Sequence, residues 1–305
     1  KELRGRDGEV VNYRNAKGET VGEKLLKTPL AGAEVYSTID AEFQDYFFRR
    51  LKERIEFLGS RGGVGIAINP QNGEVLTLVS FPSFDNNKIE GKDLTSPQKP
   101  LFNRAISGIY TPGSTIKPLV ASAALKENII TPAKEIFSAG YIEIPNPYNP
   151  DEPSRFLDWK PHGWVNLYSA LARSSNVYFY EIGGGFNDQK GLGIYKLKEY
   201  WRKFGLGEAT GVDLPSENIG FLPDPELKEK SGKDIWRIGD TYNVVIGQGD
   251  LLVTPIQLIN YISAIGNGGK FYRPFLVKKI VDKDGKIVKE NNPEILRDSS
   301  ADAAI

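Results

Sequence analysis

The order of secondary-structure signals over residues 34–79 constrains the fold more than any other feature of the sequence. Residues 34–39 are rich in β-branched and aromatic side chains and predict a strand, with Thr38 or Asp40 placed to cap a following helix. In that helix, apolar side chains recur every three or four positions and form one face, made of Phe43, Phe47, Leu51, Ile55 and Leu58. Two β-rich runs then flank Asn72-Gly73, which supplies the positive φ that a tight hairpin turn needs. This order predicts an α+β domain in which the hairpin packs on the helix.

The rest of the chain adds helices and a second hairpin. Helical patterns are predicted over four stretches, residues 112–125, 167–182, 196–204 and 254–264. Asp284-Gly285 lies between two β-rich runs and predicts another hairpin. Residues 82–112, which contain scattered Pro and Asn, predict a long surface segment. The polar, Gly-rich residues 1–33 predict the end of an N-terminal pedestal domain or a linker, so that the main domain spans 34–305.

Charge and composition exclude several functions. Lysine plus arginine equals aspartate plus glutamate at 39 each, so no net field favours nucleic acid or an anionic membrane. With no cysteine and a single histidine, the chain has no Cys nucleophile and no thiolate metal site. No run of about 18 apolar residues is present, so we expect any membrane anchor to lie upstream of Lys1. The absence of methionine agrees with a chain that begins inside a longer protein.

Ser114 and Lys117, within Pro112-Gly113-Ser114-Thr115-Ile116-Lys117-Pro118, form the first candidate catalytic pair. At positions i and i+3 of a helix, two side chains face the same side and are close enough to share a proton. Serine is a weak nucleophile at neutral pH, and a desolvated, partly neutral amine can take its proton. A Ser at a helix N-terminus also has backbone N–H groups beside it for a developing oxyanion. Taken alone, such a pair is more often a capping Ser followed by a surface Lys.

A second polar group, Ser174-Ser175-Asn176, lies among apolar residues of a predicted helix. Ser174 and Asn176 are two positions apart and can project into one cleft. There, Ser174 can relay a proton toward Lys117 or a leaving amine, and Asn176 can hydrogen-bond a peptide substrate. Taken alone, these residues are also typical of a polar helix start.

Together the two groups resemble the first two of the three motifs of the penicillin-recognising serine enzymes. Further segments resemble class B penicillin-binding proteins: Tyr36-Ser37-Thr38-Ile39-Asp40, Asn69-Pro70-Gln71-Asn72-Gly73-Glu74, Asn103-Arg104-Ala105, Tyr110-Thr111-Pro112-Gly113-Ser114 and Ile246-Gly247-Gln248-Gly249. Within that class, residues 210–215 and 247–255 resemble the elongation-type subgroup, penicillin-binding protein 2. The resemblance covers nearly all of residues 30–290, in the family's order.

The resemblance implies a fold and a reaction. The fold would be that of a penicillin-recognising serine transpeptidase, α+β, with a mainly antiparallel sheet flanked by helices and a helical subdomain. Ser114 would attack the bond between the two terminal D-alanines of a peptidoglycan stem peptide, with Lys117 as the base. Ser174 would relay the proton, Asn176 would bind substrate, and an amine of a neighbouring stem peptide would take the acyl group to form the cross-link. Penicillin and other β-lactams would acylate the same Ser114, and the chemistry needs no metal or organic cofactor.

The same resemblance implies a location and partners. The chain would work at the periplasmic, extracytoplasmic face of the inner membrane during cell-wall elongation, anchored by an N-terminal helix absent from this sequence. Its partners would be stem peptides, β-lactams and a membrane glycosyltransferase of the elongation machinery, and no nucleic acid.

The family's third motif, Lys-Ser/Thr-Gly on the strand that edges the site, is where this sequence departs from the pattern. The only match is Lys230-Ser231-Gly232, in a charged stretch without a strand pattern. It also precedes Gly247-Gln248-Gly249, which the true motif should follow. We interpret the match as part of a solvated loop and expect the working motif beyond Ile305. The transpeptidase domain would then be C-terminally incomplete and its activity impaired.

Some relatives have what resembles a zinc site, built from an Asp, a His and a Cys in the middle of the second motif. Here Asp158 and His162 are the weak candidate ligands, and the middle position is Ser175, a poor zinc ligand. We therefore expect no metal, and a His162 that is hydrogen-bonded in a turn.

Three other functions stay open on the sequence alone. A D,D-carboxypeptidase or β-lactamase-like serine hydrolase uses the same Ser and Lys with water as the acceptor, and Gly247-Gln248-Gly249 argues against it. A β-lactam sensor is acylated but forms no cross-links. A non-catalytic scaffold of the wall-synthesis complex would need neither Ser114 nor Lys117, and the presence of both argues against that function.

Overall fold

The computed structural model describes residues 2–146, 149–232 and 234–300, and Ile305 lies outside the described residues. The strands are β1 (Glu9–Arg14), β2 (Thr20–Lys27), β3 (Glu34–Ser37), β4 (Gly63–Ile68), β5 (Val75–Phe81), β6 (Ile136–Ser138), β7 (Tyr141–Ile144), β8 (Ser154–Leu157), β9 (Gly163–Val165), β10 (Lys270–Tyr272), β11 (Val277–Val281), β12 (Ile287–Glu290) and β13 (Ile295–Asp298). The α-helices are α1 (Ala41–Leu58), α2 (Gly91–Thr95), α3 (Lys117–Lys126), α4 (Leu167–Arg173), α5 (Asn176–Gly184), α6 (Gly193–Lys203), α7 (Pro225–Lys230), α8 (Ile238–Val245) and α9 (Pro255–Gly266).

The predicted strand, helix and hairpin at the start of the domain are present as β3, α1 and β4–β5. Asp40 caps α1, because its side chain accepts the N–H of Phe43 at 3.0 Å. Gly59, in the left-handed conformation, ends the helix. β4 pairs antiparallel with β5 across the turn at Asn72-Gly73, and α1 packs on β5. The predicted packing of the hairpin on the helix is therefore confirmed.

The strands that flank this module form a second, three-stranded antiparallel sheet. β3 pairs with β11, and β11 pairs with β12 across the hairpin predicted at Asp284-Gly285. Phe275 links these strands to β5, since its carbonyl accepts the N–H of Val75 at 3.0 Å. The hydroxyl of Thr38 donates to the carbonyl of Val75 at 2.7 Å and strengthens the same junction. The single β-rich run that precedes the second hairpin is in fact two strands, β10 and β11, because Pro274 has no N–H to continue the ladder.

A helical subdomain packs around α5, which is buried on nearly all sides. α3, α6 and α8 contact α5, and a Cβ on Gly183 would lie 2.1 Å from Cγ2 of Val245 on α8. Glycine at this position therefore lets the two helices approach closely. α9 belongs to both parts of the fold, because Ile256 packs in the hydrophobic cluster beside the sheet and Tyr261 in the helical core. The predicted α+β class, with antiparallel strands flanked by helices, is confirmed.

Residues 136–144 and 154–165 form a two-stranded ribbon, which the sequence patterns did not predict. β6 pairs with β9, and β7 pairs with β8, both antiparallel. The five residues 158–162 bulge between β8 and β9, opposite the shorter connection from β6 to β7. The ribbon brings Asp158 next to the second motif.

The boundary predicted at residue 34 stays a prediction. β1 and β2 pair with each other, and nearly all their side chains are exposed. Among the helices that the structure describes, none is both long and apolar enough to cross a bilayer.

Asp213 fixes the start of β11. Its carboxylate accepts the backbone N–H of Leu276 at 2.7 Å and that of Val277 at 2.8 Å. Because Asp213→Ala would leave two half-buried amides without an acceptor, we expect it to lower the free energy of unfolding by about 2–3 kcal/mol. Asp188→Ala, at an exposed aspartate, is the matched control and should change this free energy by less than about 0.5 kcal/mol. Urea denaturation followed by circular dichroism compares the two, and equal stabilities would contradict the assignment.

Candidate active site

Ser114 lies on a single 3-10 turn, Gly113–Ile116, that leads directly into α3. Ser114 is exposed, whereas Ile116 and Lys117 are buried. Among the described residues, neither the hydroxyl nor the backbone N–H of Ser114 has a hydrogen-bond partner. An exposed hydroxyl beside a free N–H offers an incoming carbonyl both a nucleophile and a donor to its oxygen.

Hydrogen bonds from two other parts of the chain hold this turn in place. The N–H of Gly113 donates to the carbonyl of Gly247 at 2.8 Å, and the Tyr261 hydroxyl on α9 donates to the carbonyl of Thr115. Gly247 has a φ of +76°, and a Cβ there would lie 2.1 Å from the carbonyl oxygen of Gly113. Only glycine fits so close to the turn in this conformation. The segment that contains Gly247 therefore supports the backbone next to Ser114.

The amine of Lys117 is buried and fully engaged, with 1% of the residue exposed. Nζ donates to the carbonyl of Ser174 at 2.8 Å, to its Oγ at 3.1 Å, and to Oδ1 of Asn176 at 2.8 Å. The ring centroid of Phe179 lies 5.3 Å from Nζ. Burial lowers the pKa of Lys117 to about 8, while the negative charge of Asp158 acts in the opposite direction. The amine is therefore partly neutral near physiological pH and can accept a proton.

The second motif lies where one predicted helix is in fact two. α4 ends at Arg173, and Ser174 takes the left-handed conformation with φ 53° and ψ 43°. Ser175 then caps α5 by accepting the N–H of Tyr178 at 3.4 Å. The continuous helix predicted over residues 167–182 is therefore wrong. The break turns the carbonyl and hydroxyl of Ser174 toward the lysine amine. It requires a left-handed backbone conformation that residues other than glycine rarely adopt.

Asp158 supports this break from the ribbon. Its Oδ2 accepts the Ser175 hydroxyl at 2.9 Å and the N–H of Val177 at 3.0 Å, and the hydroxyl of Ser138 adds a contact at 3.3 Å. Burial acts to raise the pKa of Asp158, but backbone N–H groups at Asn176 and Val177 and the Ser175 hydroxyl outweigh it, so the pKa lies below its ordinary value. A carboxylate at the N-terminus of α5 also interacts favourably with the helix dipole.

The side chain of His162 is fully buried beside Asp158, with Nε2 3.6 Å from Oδ1 of the carboxylate. Among the described residues, neither ring nitrogen has a hydrogen-bond partner, so the expected hydrogen-bonded imidazole is wrong. A protein zinc site needs three or four N, O or S ligands. Here the Ser175 hydroxyl donates its proton to the Asp158 carboxylate, so it is not placed as a further ligand beside Asp158 and His162. Within the part of the chain that the structure describes, no group of three His, Cys, Asp or Glu side chains could hold a metal. These donors do not fit a zinc ion.

Lys230-Ser231-Gly232 forms a helix end, not a strand that edges the site. Lys230 is the last residue of α7, Ser231 caps it, and Gly232 follows with φ 74°. All three residues are exposed, as expected, but the predicted loop is a helix terminus. The Ser231 hydroxyl donates to the carbonyl of Lys228 within the same helix.

The structure joins three of the four predicted site residues by hydrogen bonds. Lys117, Ser174 and Asn176 share one cluster. Ser114 lies one turn before Lys117, and its carbonyl accepts the backbone N–H of Lys117, but among the described residues no hydrogen bond joins its hydroxyl to the Lys117 amine. The chemical roles of all four stay predictions. The supports at Asp158, Gly247 and Tyr261 were missed. Two glycines around Gln248 are a signal of close backbone approach, whereas nothing in the sequence distinguishes Tyr261 from other core aromatic residues.

Comparisons with known proteins match most of the chain. The family model for the penicillin binding protein transpeptidase domain matches residues 63–302. Peptidoglycan D,D-transpeptidase MrdA of Escherichia coli (strain K12) is 36% identical over 296 residues, which cover 94% of this chain and 44% of the relative. The Acinetobacter baumannii protein of the same name is 34% identical over 308 residues, covering 91% and 44%. The chain thus spans less than half the length of these curated relatives.

Solved structures show the same similarity. Pseudomonas aeruginosa PBP2 in complex with WCK 5153 is 34% identical with a TM-score of 0.69, covering 90% of this chain and 60% of that one. The complex between PBP2 and MreC from Helicobacter pylori is 30% identical with a TM-score of 0.72, covering 99% and 53%. A structure described as "Structural coordination of polymerization and crosslinking by a peptidoglycan synthase complex" is 28% identical with a TM-score of 0.74, covering 99% and 53%.

Gly247→Ala tests the support of the Ser114 turn. The new Cβ would push against the Gly113 backbone, and a displacement of about 1 Å at a reacting group can cost about 100-fold in rate. We therefore expect acylation by a fluorescent penicillin to slow by about 100-fold, with the circular dichroism spectrum unchanged. Gly266→Ala is the matched control, because nothing lies within 4 Å of the position that its new methyl group would take. A Gly247→Ala rate within a few-fold of the control would show that this segment does not position the turn.

Proposed function

The chain belongs to the penicillin-binding protein transpeptidase family, and on this basis we propose that it is the catalytic domain of an elongation-type peptidoglycan D,D-transpeptidase. One observation carries the proposal: a buried lysine amine, held by Ser174 and Asn176, lies one turn from the exposed Ser114. The identities of 34–36% with MrdA proteins and the similarity to PBP2 structures support the elongation type.

In the first step, the Ser114 hydroxyl attacks the carbonyl between the two terminal D-alanines of a donor stem peptide. Neutral Lys117 accepts the hydroxyl proton as the Oγ–C bond forms, because its pKa of about 8 leaves a fraction of the amine unprotonated. The free N–H of Ser114 donates to the carbonyl oxygen as negative charge develops there. The amine must swing from its present acceptors toward Ser114 for this transfer, and the side chain's flexible stem permits it.

Collapse of the tetrahedral intermediate breaks the C–N bond and releases D-alanine. The leaving nitrogen takes a proton from the Ser174 hydroxyl, which is replenished from Lys117 across the 3.1 Å contact. Asn176 uses one N–H on the carbonyl of Leu157, at 3.3 Å, and its other N–H has no partner among the described residues. That second N–H is free to donate to a carbonyl of the bound stem peptide.

In the second step, an amine of a neighbouring stem peptide attacks the Ser114 ester. The amine loses a proton to the Lys117–Ser174 pair, the C–Oγ bond breaks, and the Ser114 hydroxyl is restored. The product is a new amide, the cross-link. β-Lactams acylate Ser114 by the same first step, because their strained amide presents the same carbonyl to the nucleophile.

The proposed setting follows from the relatives. The domain would work at the extracytoplasmic face of the inner membrane, with residues 1–33 connecting it to a pedestal domain. A membrane glycosyltransferase would be its partner in the elongation machinery, which the similarity to a peptidoglycan synthase complex supports. Persistence of the penicillin adduct separates this function from a β-lactamase-like hydrolase, which would release it quickly.

Ser114 is the predicted site of covalent labelling. In the protein that carries this domain, we expect a fluorescent penicillin to attach to Ser114 and peptide mapping to locate it there. Ser114→Ala should abolish the label, because it removes the hydroxyl that forms the ester. Ser231→Ala, at the exposed serine of the Lys-Ser-Gly match, should keep it. A label that survives in Ser114→Ala would refute the assignment.

Lys117 is expected to control the pH dependence of acylation. Because the neutral amine is the base and its pKa is lowered to about 8, the acylation rate should rise with pH up to about 8 and then level off. Lys117→Arg keeps the charge but does not give up its proton, so it should slow acylation by about 10²–10⁴-fold and remove this inflection. Stopped-flow acylation across a pH series provides the measurement.

The matched control for Lys117→Arg is Lys230→Ala, at an exposed lysine. We expect its acylation rate to stay within a few-fold of wild type. A large loss there would show that Lys230-Ser231-Gly232 works as the third motif after all.

A further inference from the structure

The ribbon made by β6–β9 and β7–β8 has an exposed face that the proposed mechanism does not use. Four large side chains stand on it at alternating positions, with 39% to 64% of each residue exposed: Phe137, Tyr141, Leu157 and Trp164. Phe137 is paired directly opposite Trp164, and Tyr141 directly opposite Leu157. We call these four residues the aromatic stripe.

The other face of the same ribbon holds the candidate active site. Side chains alternate between the two faces of a strand, so the neighbours of the stripe, such as Ser138 and Ile142, are buried. The Ser138 hydroxyl donates to the Asp158 carboxylate, and the carbonyl of Leu157 accepts a side-chain N–H of Asn176 at 3.3 Å. The stripe and the contacts to the second motif therefore lie on opposite faces of the same ribbon.

The rings of the stripe are pre-organised as a platform. The centroids of Phe137 and Trp164 lie 5.3 Å apart in an edge-on arrangement that their cross-strand pairing fixes. Arg155 lies 4.4 Å over the ring of Tyr141, and Lys160 in the adjoining bulge lies 4.4 Å over an exposed tryptophan ring. The surface thus combines aromatic rings with one cation that has no ion-pair partner among the described residues, Lys160, since Arg155 is ion-paired with Glu143. Exposed apolar patches of this kind mark binding sites.

The shape of the platform favours an extended polymer over a folded protein. The ribbon is two strands wide and roughly 20 Å long, whereas a stable protein interface buries about 800 Å² on each partner. A pyranose ring presents an apolar C–H face that stacks on an aromatic ring, and its hydroxyls stay in water. The carboxylates of a stem peptide complement Lys160, which has no ion-pair partner among the described residues, whereas Arg155 is already paired with Glu143.

We propose that the aromatic stripe binds the polysaccharide strand to which the stem peptide is attached, with sugar rings stacked on Phe137 and Trp164. The inference rests on the proposed transpeptidase function, since a sugar-linked peptide is its substrate. The polysaccharide lies along the exposed face of the ribbon. Its stem peptide reaches past the bulge at residues 158–162 into the cleft at Ser174 and Asn176.

The test compares Trp164→Ala and Phe137→Ala with a matched control, Phe57→Ala. Phe57 lies on α1, away from the ribbon, and is 77% exposed. Two probes are titrated by calorimetry: soluble glycan strands that carry uncross-linked pentapeptides, and the same pentapeptide without sugar. We expect both ribbon variants to weaken strand binding by about tenfold, the loss typical of a contact that matters in an interface. Binding of the free pentapeptide and the rate of penicillin acylation should stay within twofold of wild type in all three variants.

Each alternative has its own outcome. Equal strand affinity in Trp164→Ala and Phe57→Ala would overturn the proposal. A parallel loss of free-pentapeptide binding would overturn it too, because the effect would then lie in the peptide cleft. Unchanged strand affinity with loss of binding to a purified partner protein would make the stripe a protein-docking surface and likewise overturn it. Failure of the wild type to be labelled by penicillin would instead contradict the proposed function, and strand binding would still be measured independently.

Discussion

The hydrogen bonds from the Lys117 amine to Ser174 and Asn176 are the interaction on which the rest of the site depends. A buried ammonium group is costly unless its donors are satisfied, and here two residues of one helix break supply three acceptor atoms. None of these acceptors is a carboxylate. The negative charge of Asp158 also acts on the amine, but its oxygens accept hydrogen bonds from Ser175 and Val177. The amine is thus held by neutral groups, which fix its position while burial keeps its pKa near 8; a direct ion pair would have favoured the charged form and left a poor base.

The need to hold Lys117 and Ser114 at the same time explains why the site forms where the helical subdomain meets the part of the fold beside the sheet. Lys117 is anchored on the helical side, through the break between α4 and α5. The turn that carries Ser114 is held by Gly247 and by Tyr261 of α9, the helix that packs in both hydrophobic clusters. Ser114 and Lys117 therefore have separate supports, and their alignment depends on α9 and α3 keeping their packing in the shared core.

The sequence predicted the features that depend on local periodicity, and it missed those that distant residues impose. The strand, helix and hairpin from residue 34 and the spacing of Ser114 and Lys117 are local, and the structure contains them. Apolar residues lie on both sides of the polar run 173–176, and on that basis the segment 167–182 was predicted as one helix. The break is stabilised by Lys117 and Asp158, which are remote in sequence. In the same way, the strands of the ribbon at 136–144 and 154–165 were not predicted, because they form by pairing between segments that are distant in the chain.

This ribbon shows how one small element can serve two purposes when its faces alternate. Its buried face carries Ser138 and the carbonyl of Leu157 toward the second motif, so its position is fixed by the site. Its exposed face is then fixed as well, and Phe137 and Trp164 are held opposite each other on it. A substrate peptide that is tethered to a polymer gains from such an arrangement. Once the polymer rests on the outer face, the peptide searches only the volume that its tether allows, and its effective concentration at the cleft rises. Under the proposed function, each contact can therefore be weak, because the enzyme would release a long strand after every cross-link and bind the next peptide along it.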